Sequence, residues 1–319
     1  MTQDLLRLLP LIPLSLVAGV DLYLTLLFIG LAPRLGWDAP LPGELGDLAV
    51  TTVLVASLIL YLVERVLERY AFASVLWNAV HTIIRPMAGA LLALLALSDL
   101  PLATRIGGAF AAAALALAAH VTRSGWELLL ALMPAPGRTR VIASVAEDAG
   151  TLAILSLLFD APAAAAALAV LAILAGLRWG QPSSNAFMFA LRLLWDSARA
   201  LLSHRRWRGP ERFPAWLRRA VEDPAGGGLR GSPAGALNFP GLGFFRRGWV
   251  VVLGGTPLFL YRARKQARAV DLVTSRAIKV TPTALHNRVD LGDIEGQSYT
   301  LYVSLDGPEP EDLRAQFLA

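Results

Sequence analysis

Apolar residues dominate the first 180 positions in six blocks, at roughly 5–33, 48–67, 76–98, 104–121, 141–159 and 162–179, separated by short polar or proline-containing stretches. Each block approaches the ~20 residues that a helix needs to cross a bilayer with its backbone groups bonded internally. The pattern predicts a mainly α, polytopic membrane domain over residues 1–180 with about six spans. Six such blocks joined by short loops argue against buried helices of a large soluble core. The first block runs on through Asp21 to Ala32, with only Arg7 ahead of it and no small-residue cleavage site, so it is not read as a signal peptide.

That first block carries Pro10 and Pro13, then Ala18-Gly19-Val20-Asp21. Proline removes a backbone donor and glycine tolerates the dihedrals of a break. A broken first helix is therefore expected, with Asp21 capping a second half from Leu22 to Ala32. Broken helices build the substrate and ion sites of many transporters. The blocks also fall into two groups of three, roughly 5–98 and 104–179, which is the arrangement of a 3+3 inverted repeat, although little residue identity joins the halves.

Beyond residue 180 the pattern changes. Over 181–208 the sequence predicts an amphipathic, basic juxtamembrane helix. Phe187, Leu191, Leu194, Trp195, Ala198, Leu201 and Leu202 recur at helical spacing, with Arg192, Asp196 and Arg199 opposite and His204-Arg205-Arg206-Trp207-Arg208 following. Such a helix lies in the membrane interface, and Arg192, Arg199, Arg205, Arg206 and Arg208 are the expected contacts to anionic lipid head groups. Nucleic acid is set aside as a partner because the cluster directly follows a span. Residues 209–243, rich in Gly and Pro, read as a linker. Residues 244–319 alternate short β-branched or aromatic runs with turn residues and close on a helix from Glu309 to Leu318. By analogy of element order, this is a small β-rich, pleckstrin-homology-like cytoplasmic domain.

Charge sharpens the division. Of 319 residues 17% are charged, well below the roughly 25% of soluble domains. The net +5 hides two unlike halves: residues 1–177 carry nine Arg, no Lys and twelve acids, and residues 178–319 carry twenty bases and twelve acids. With the N-terminus inside, Arg65, Arg69, Arg123, Arg138 and Arg140 fall in inside loops, against Arg34 and Arg105 outside, which predicts an inner-membrane protein with both termini cytoplasmic.

Polar residues within the apolar blocks are the candidate chemistry. They are Asp21, Tyr23, Glu64, Asn78, His81, Arg85, His120, Glu147 and Asp148, with Arg123 at the edge of a block. His81 and Arg85 share a helix face, and Asn78 lies one turn earlier. Neighbouring carboxylates in a low dielectric repel, so Glu147 and Asp148 need a proton or a basic partner, with Arg85 or His81 the expected one. A proton or ion relay and a structural ion pair are the two readings of such a group.

Gly19-Val20-Asp21-Leu22-Tyr23, Leu60-Tyr61-Leu62-Val63-Glu64, Trp77-Asn78-Ala79-Val80-His81-Thr82-Ile83-Ile84-Arg85-Pro86 and Ser144-Val145-Ala146-Glu147-Asp148 together resemble the bacterial membrane family known as domain of unknown function 4126, over roughly residues 15–178. The most specific piece is His-Thr-x-x-Arg-Pro-x-Ala-Gly at 81–89. Asp21 stands where the resemblance leads one to expect Asn, and Arg65-Val66-Leu67-Glu68-Arg69 also departs from it. The resemblance implies an integral membrane protein and brings no activity with it.

Enzyme signatures are absent. There is no Cys, the four His show neither HExxH nor paired metal spacing, no Gly-x-Ser-x-Gly occurs, and Gly226-Gly227-Gly228 lacks the strand and lysine of a phosphate loop. No cofactor or metal is expected, and an enzyme is not, although an intramembrane hydrolase built on Asp, Glu and His stays open. The expected function is transporter- or channel-like handling of an ion, small solute or lipid. The alternative is a non-transporting scaffold or signalling protein whose cytoplasmic domain binds a partner or lipid. Alanine runs at 111–114 and 163–167 allow close helix packing within one chain or in a homo-oligomer.

Overall fold

A computed structural model describes residues 8–37, 42–132, 137–200, 206–221, 228–239, 242, 244–263, 266–272, 277–292 and 298–318. They fall into two compact units, Met1–Ser184 and Asn185–Ala319. The first unit is helical: α1 (Leu11–Val20), α2 (Leu22–Leu31), α3 (Thr51–Leu67), α4 (Ala71–Ala96), α5 (Leu102–Leu132), α6 (Gly137–Asp160) and α7 (Pro162–Trp179). Four of these helices, α4, α5, α6 from Val141 onward and α7, are long and apolar enough to cross a membrane. Of the other two expected spans, 48–67 forms the 17-residue α3 and the first block forms two ten-residue helices.

The surface of this unit is inverted relative to a protein in water. Ile83, Phe110, Ile142 and Leu171 are 61–75% exposed, whereas Asp21, Glu64 and Arg85 are fully buried. Apolar outside and charged inside is the arrangement that lipid selects.

The expected break is present at Asp21, whose extended backbone (φ −141°, ψ 90°) separates α1 from α2. Its side-chain Oδ1 accepts from the Leu24 amide at 3.1 Å, the N-cap bond that starts α2. Its carbonyl accepts from the Thr25 hydroxyl at 2.6 Å. Small residues then draw three helices together. A Cβ on Gly19 of α1 would stand 2.3 Å from the Ala116 carbonyl oxygen of α5, and one on Gly89 of α4 would stand 2.9 Å from the Ala116 Cβ. Only hydrogen fits at these crossings.

α5 is longer than its apolar block, so Arg123 and Glu127 lie on the same helix as His120. Arg123, counted above as a loop arginine, is buried there, and Arg65 lies inside α3. Both are engaged in ion pairs, so they carry less weight as topological signals than their numbers alone suggest.

Most of α8 (Gln181–Ala200) belongs to the second unit, with α9 (Ala215–Arg218), seven strands and α10 (Pro310–Leu318). The strands are β1 (Arg230–Leu237), β2 (Phe245–Leu253), β3 (Thr256–Ala263), β4 (Gln266–Asp271), β5 (Ala277–Pro282), β6 (His286–Gly292) and β7 (Ser298–Ser304). They form one antiparallel sheet in the order β4-β3-β2-β1-β7-β6-β5. Alternation sorts their side chains. Val250, Phe259, Val289 and Leu301 pack together with Leu313 of α10, while Trp249, Val251 and Leu260 pack with Phe213 and Leu217.

Two sequence expectations are corrected here. The central strand β1 lies inside the stretch read as linker. Its Gly, Ser, Pro and Ala composition resembles a linker, yet a side chain at Gly235 would meet the Phe245 ring at 2.7 Å, so small residues are a packing requirement. Pro233 is tolerated because β1 has only one ladder there, the pairing with β7 beginning at Ala234. On α8 the face expected to lie in the membrane is divided: Trp195 is 62% exposed, but Phe187 is buried within the protein, and Asp196, expected on the polar face, is buried too. Asp196 turns inward because it accepts from the Ser304 hydroxyl at 2.8 Å and from Arg208 Nη2 at 3.2 Å.

Two outcomes follow. Gly19→Val is expected to lower thermal stability in detergent by about 1–3 kcal/mol through overpacking against Ala116, while Gly150→Ala, which meets nothing within 4 Å, leaves it unchanged or raised. In the sheet, desolvation and the Arg288 charge push His286 down to about 4. The folded state therefore binds this proton less readily than the unfolded chain. The contribution of neutral His286 is complete above pH 6.5 and is lost as pH falls toward 4, by about 1–2 kcal/mol at pH 5. Pulse proteolysis in urea is expected to show that slope in the wild type and a flatter one in His286→Gln.

Candidate functional site

The site begins with the broken helix. In an unbroken helix the Gly19 and Val20 carbonyls would accept from the amides of Tyr23 and Leu24. Leu24 instead donates to the Asp21 side chain. Arg85 reaches from α4 to replace the missing donors: its Nη1 donates to Gly19 O at 2.8 Å and also to Val20 O. Its Nη2 donates to Glu64 Oε1 of α3 at 2.5 Å, and both side chains are fully buried. The helical spacing of the 81–89 motif thus aims one guanidinium at the break, while Gly89, one turn on, admits Ala116.

Two further arginines extend the pair into a network. Arg123 donates from Nη1 to Glu64 at 3.1 Å, from Nη2 to Glu68 at 2.6 Å and Glu127 at 2.8 Å, and from Nε to Glu147 at 2.6 Å. Arg65 binds Asp21, Asp148 at 2.8 Å and Glu68 at 2.9 Å, and donates to the Ser144 hydroxyl at 3.0 Å. The Tyr61 hydroxyl donates to Asp148 at 2.8 Å, and its ring lies 5.0 Å under the Arg65 guanidinium. Among the described residues, six carboxylates, from Asp21, Glu64, Glu68, Glu127, Glu147 and Asp148, thus share three guanidinium groups.

Two histidines flank the network. The His81 Nδ1 lies 2.8 Å from the Trp77 carbonyl, which only accepts, so Nδ1 carries the hydrogen and Nε2 accepts from the Tyr23 hydroxyl at 2.7 Å. His120 Nε2 likewise donates to the Asn78 carbonyl at 2.9 Å. The Asn78 amide donates to Glu127 at 3.1 Å, which ties this corner to Arg123.

All nine intramembrane residues expected from the sequence therefore gather in one helical unit, but their partners differ from those expected. Glu147 pairs with Arg123 and Asp148 with Arg65. Arg85 serves Glu64 and the broken helix, and His81 serves Tyr23. Sequence reasoning omitted Arg65, Glu68 and Glu127 from the site. The spacing held the signal: Glu68 lies four residues after Glu64 and Glu127 four after Arg123, on the same faces. The two departures from the family resemblance, Asp21 and the 65–69 stretch, are bonded to each other through Arg65.

The basic residues expected to meet lipid divide. Arg199 and Arg206 are exposed. Arg192 is half-exposed, lying 3.5 Å from Asp196 and over the Trp249 ring at 5.4 Å. Arg208 is buried between Asp196 and Asp306, the latter at 2.7 Å, so it is an internal strut of the sheet unit and not a head-group contact. Arg205 lies outside the described residues.

Beside the network, α1, α5, α6, α7 and the first turn of α8 line a cleft of about 580 Å³. Leu16, Val20, Leu115, Ile154 and Ile173 line it, with Arg123 and Glu147 as its charged residues. Among the described residues no group of His, Asp or Glu is arranged to hold a metal ion.

The profile of the family described as Domain of unknown function (DUF4126) matches residues 8–181, which takes in every helix of the network and all of the cleft lining but Ser184. The chain belongs to this family. No curated protein matches it. Its DUF4126 region ends within the first turn of α8, so the sheet lies outside the matched residues.

Replacing Arg85 by Leu strips donors from two helix-break carbonyls and one of two guanidiniums from Glu64. The expected loss is about 3–5 kcal/mol, read as thermal stability in detergent. Adding Glu64→Gln to Arg85→Leu is expected to cost less than the two single losses combined. Additive losses would mean the pair does not interact.

Proposed function

We propose that this DUF4126 protein is a membrane carrier whose buried cluster takes up positive charge, as protons at rest and as a cationic solute when loaded. One observation carries the reading: six carboxylates share three guanidiniums at a helix break inside the apolar unit. Buried charge of one sign is costly, so the excess calls for a neutralising cation. The break at Asp21 and the cleft at Glu147 supply what a carrier needs, a local interruption of the helix and a place for a solute. On this reading the six apolar blocks cross the inner membrane as two inverted groups of three, with both termini in the cytoplasm. The sheet, with β1 pairing β7 and α10 packed on β5, is then a pleckstrin-homology-like regulatory module near anionic lipid.

The scaffold reading has one observation in its favour. Every guanidinium nitrogen of Arg123 is engaged by a carboxylate, as in a lock between helices.

Reconstitution separates the two. Liposomes holding the full chain, read for proton, cation and lipid-flip activity, are expected to show flux that falls at least tenfold in Asp21→Asn and Glu147→Gln. No flux in any of the three readouts would overturn the carrier and leave the scaffold.

A further inference from the structure

The cleft beside the network has a polarity that selects its occupant. Its walls are mostly apolar side chains of α1, α5, α6 and α7, with Thr122, Thr151 and, from the start of α8, Gln181 and Ser184 as uncharged polar residues, and its volume of about 580 Å³ lies within the range of roughly 300–1,000 Å³ typical of small-molecule sites. Among the described residues Arg123 and Glu147 are its charged lining residues, and they are not equally available. Arg123 is 5% exposed, and Nε, Nη1 and Nη2 each already donate to a carboxylate. Four of its five N–H groups are thereby taken, and the charge it could offer an anionic head group is already shared by four carboxylates. Glu147 is 19% exposed, gives Oε1 to Arg123 and leaves Oε2 without a hydrogen bond among the described residues. The charged end of the cleft therefore presents an acceptor backed by an excess of negative charge.

We propose that this cleft binds an amphipathic amine, with the apolar body between α1, α5, α6 and α7 and the ammonium group at Glu147. This names the substrate class of the carrier proposed above and rests on the reading that the cluster takes up positive charge. An anionic amphiphile of the same length meets an arginine already shared by four carboxylates, with Glu147 beside it, and is disfavoured on charge. The ammonium group has two sources, the head group of a bilayer lipid or a free amphiphilic amine.

The test is equilibrium binding of labelled dodecyltrimethylammonium to the full chain in nanodiscs of phosphatidylglycerol, with dodecyl sulfate as the anionic control. The expected result is saturable binding of the ammonium probe and none of the sulfate. Affinity is expected to fall at least tenfold in Glu147→Gln. It is expected to fall similarly in Gly150→Leu, where the new side chain points from a wall position that meets nothing within 4 Å and so fills the cleft without disturbing the fold. Phosphatidylethanolamine in the nanodisc distinguishes the sources: competition with the probe assigns the site to a lipid ammonium, and no competition assigns it to a free amine. Equal binding of dodecyl sulfate, or ammonium binding unchanged in a folded Gly150→Leu, would overturn the assignment. Binding is read without flux, so intact binding with no flux contradicts the carrier alone, and flux without ammonium binding contradicts this assignment alone.

Discussion

Two carbonyls govern the helical unit. The break at Asp21 frees the oxygens of Gly19 and Val20 in a region where lipid offers no donor, and a backbone group left unbonded there costs several kcal/mol. Arg85 supplies both bonds. Its guanidinium is then a full charge buried at zero exposure, which requires Glu64. Glu64 also accepts from Arg123, and Arg123 gathers Glu68, Glu127 and Glu147. The charged interior is thus a sequence of compensations that starts from one interrupted helix.

Geometry follows from the same requirement. A guanidinium on α4 reaches the end of α1 only if the helices lie close, and the absence of side chains at Gly19 and Gly89 lets both approach Ala116. The compensation is not symmetric, since among the described residues carboxylates outnumber guanidiniums two to one. A purely structural lock gains little from that surplus, because each additional acid, largely shielded from water though only Asp21 and Glu64 are fully buried, adds desolvation and repulsion without a partner of its own. A surplus placed beside an apolar cleft is better matched to a site that is neutralised from outside.

The sequence was most legible where local chemistry decides. Proline and glycine ahead of Asp21 announced the break and its cap, and the apolar blocks announced the helices, because propensity and hydropathy act over a few residues. The membership of the site was mostly legible too, since a charge in an apolar block is conspicuous. Partners were not: Glu147 was expected near Arg85 or His81 and binds Arg123, because pairing depends on helix rotation and crossing that no spacing encodes. Glu68 and Glu127 escaped because α5 continues past its apolar block and because Glu68 sits at the very end of α3. β1 escaped for a different reason. A central strand built of Gly, Ser, Pro and Ala has the composition of a linker, and only the Phe245 ring pressed against Gly235 makes that composition necessary. The inward turn of Asp196 likewise depends on Ser304 and Arg208, far away along the chain.

The surplus of acid is the claim on which the functional reading stands, and infrared spectroscopy of the purified protein addresses it directly. At neutral pH, without ligand, the carboxylic-acid C=O stretch is expected to show a protonated group shielded from water, and its band is expected to weaken when Glu127 or Glu147 is replaced by the amide. A spectrum without that band, with all six acids ionised beside three arginines, would contradict it.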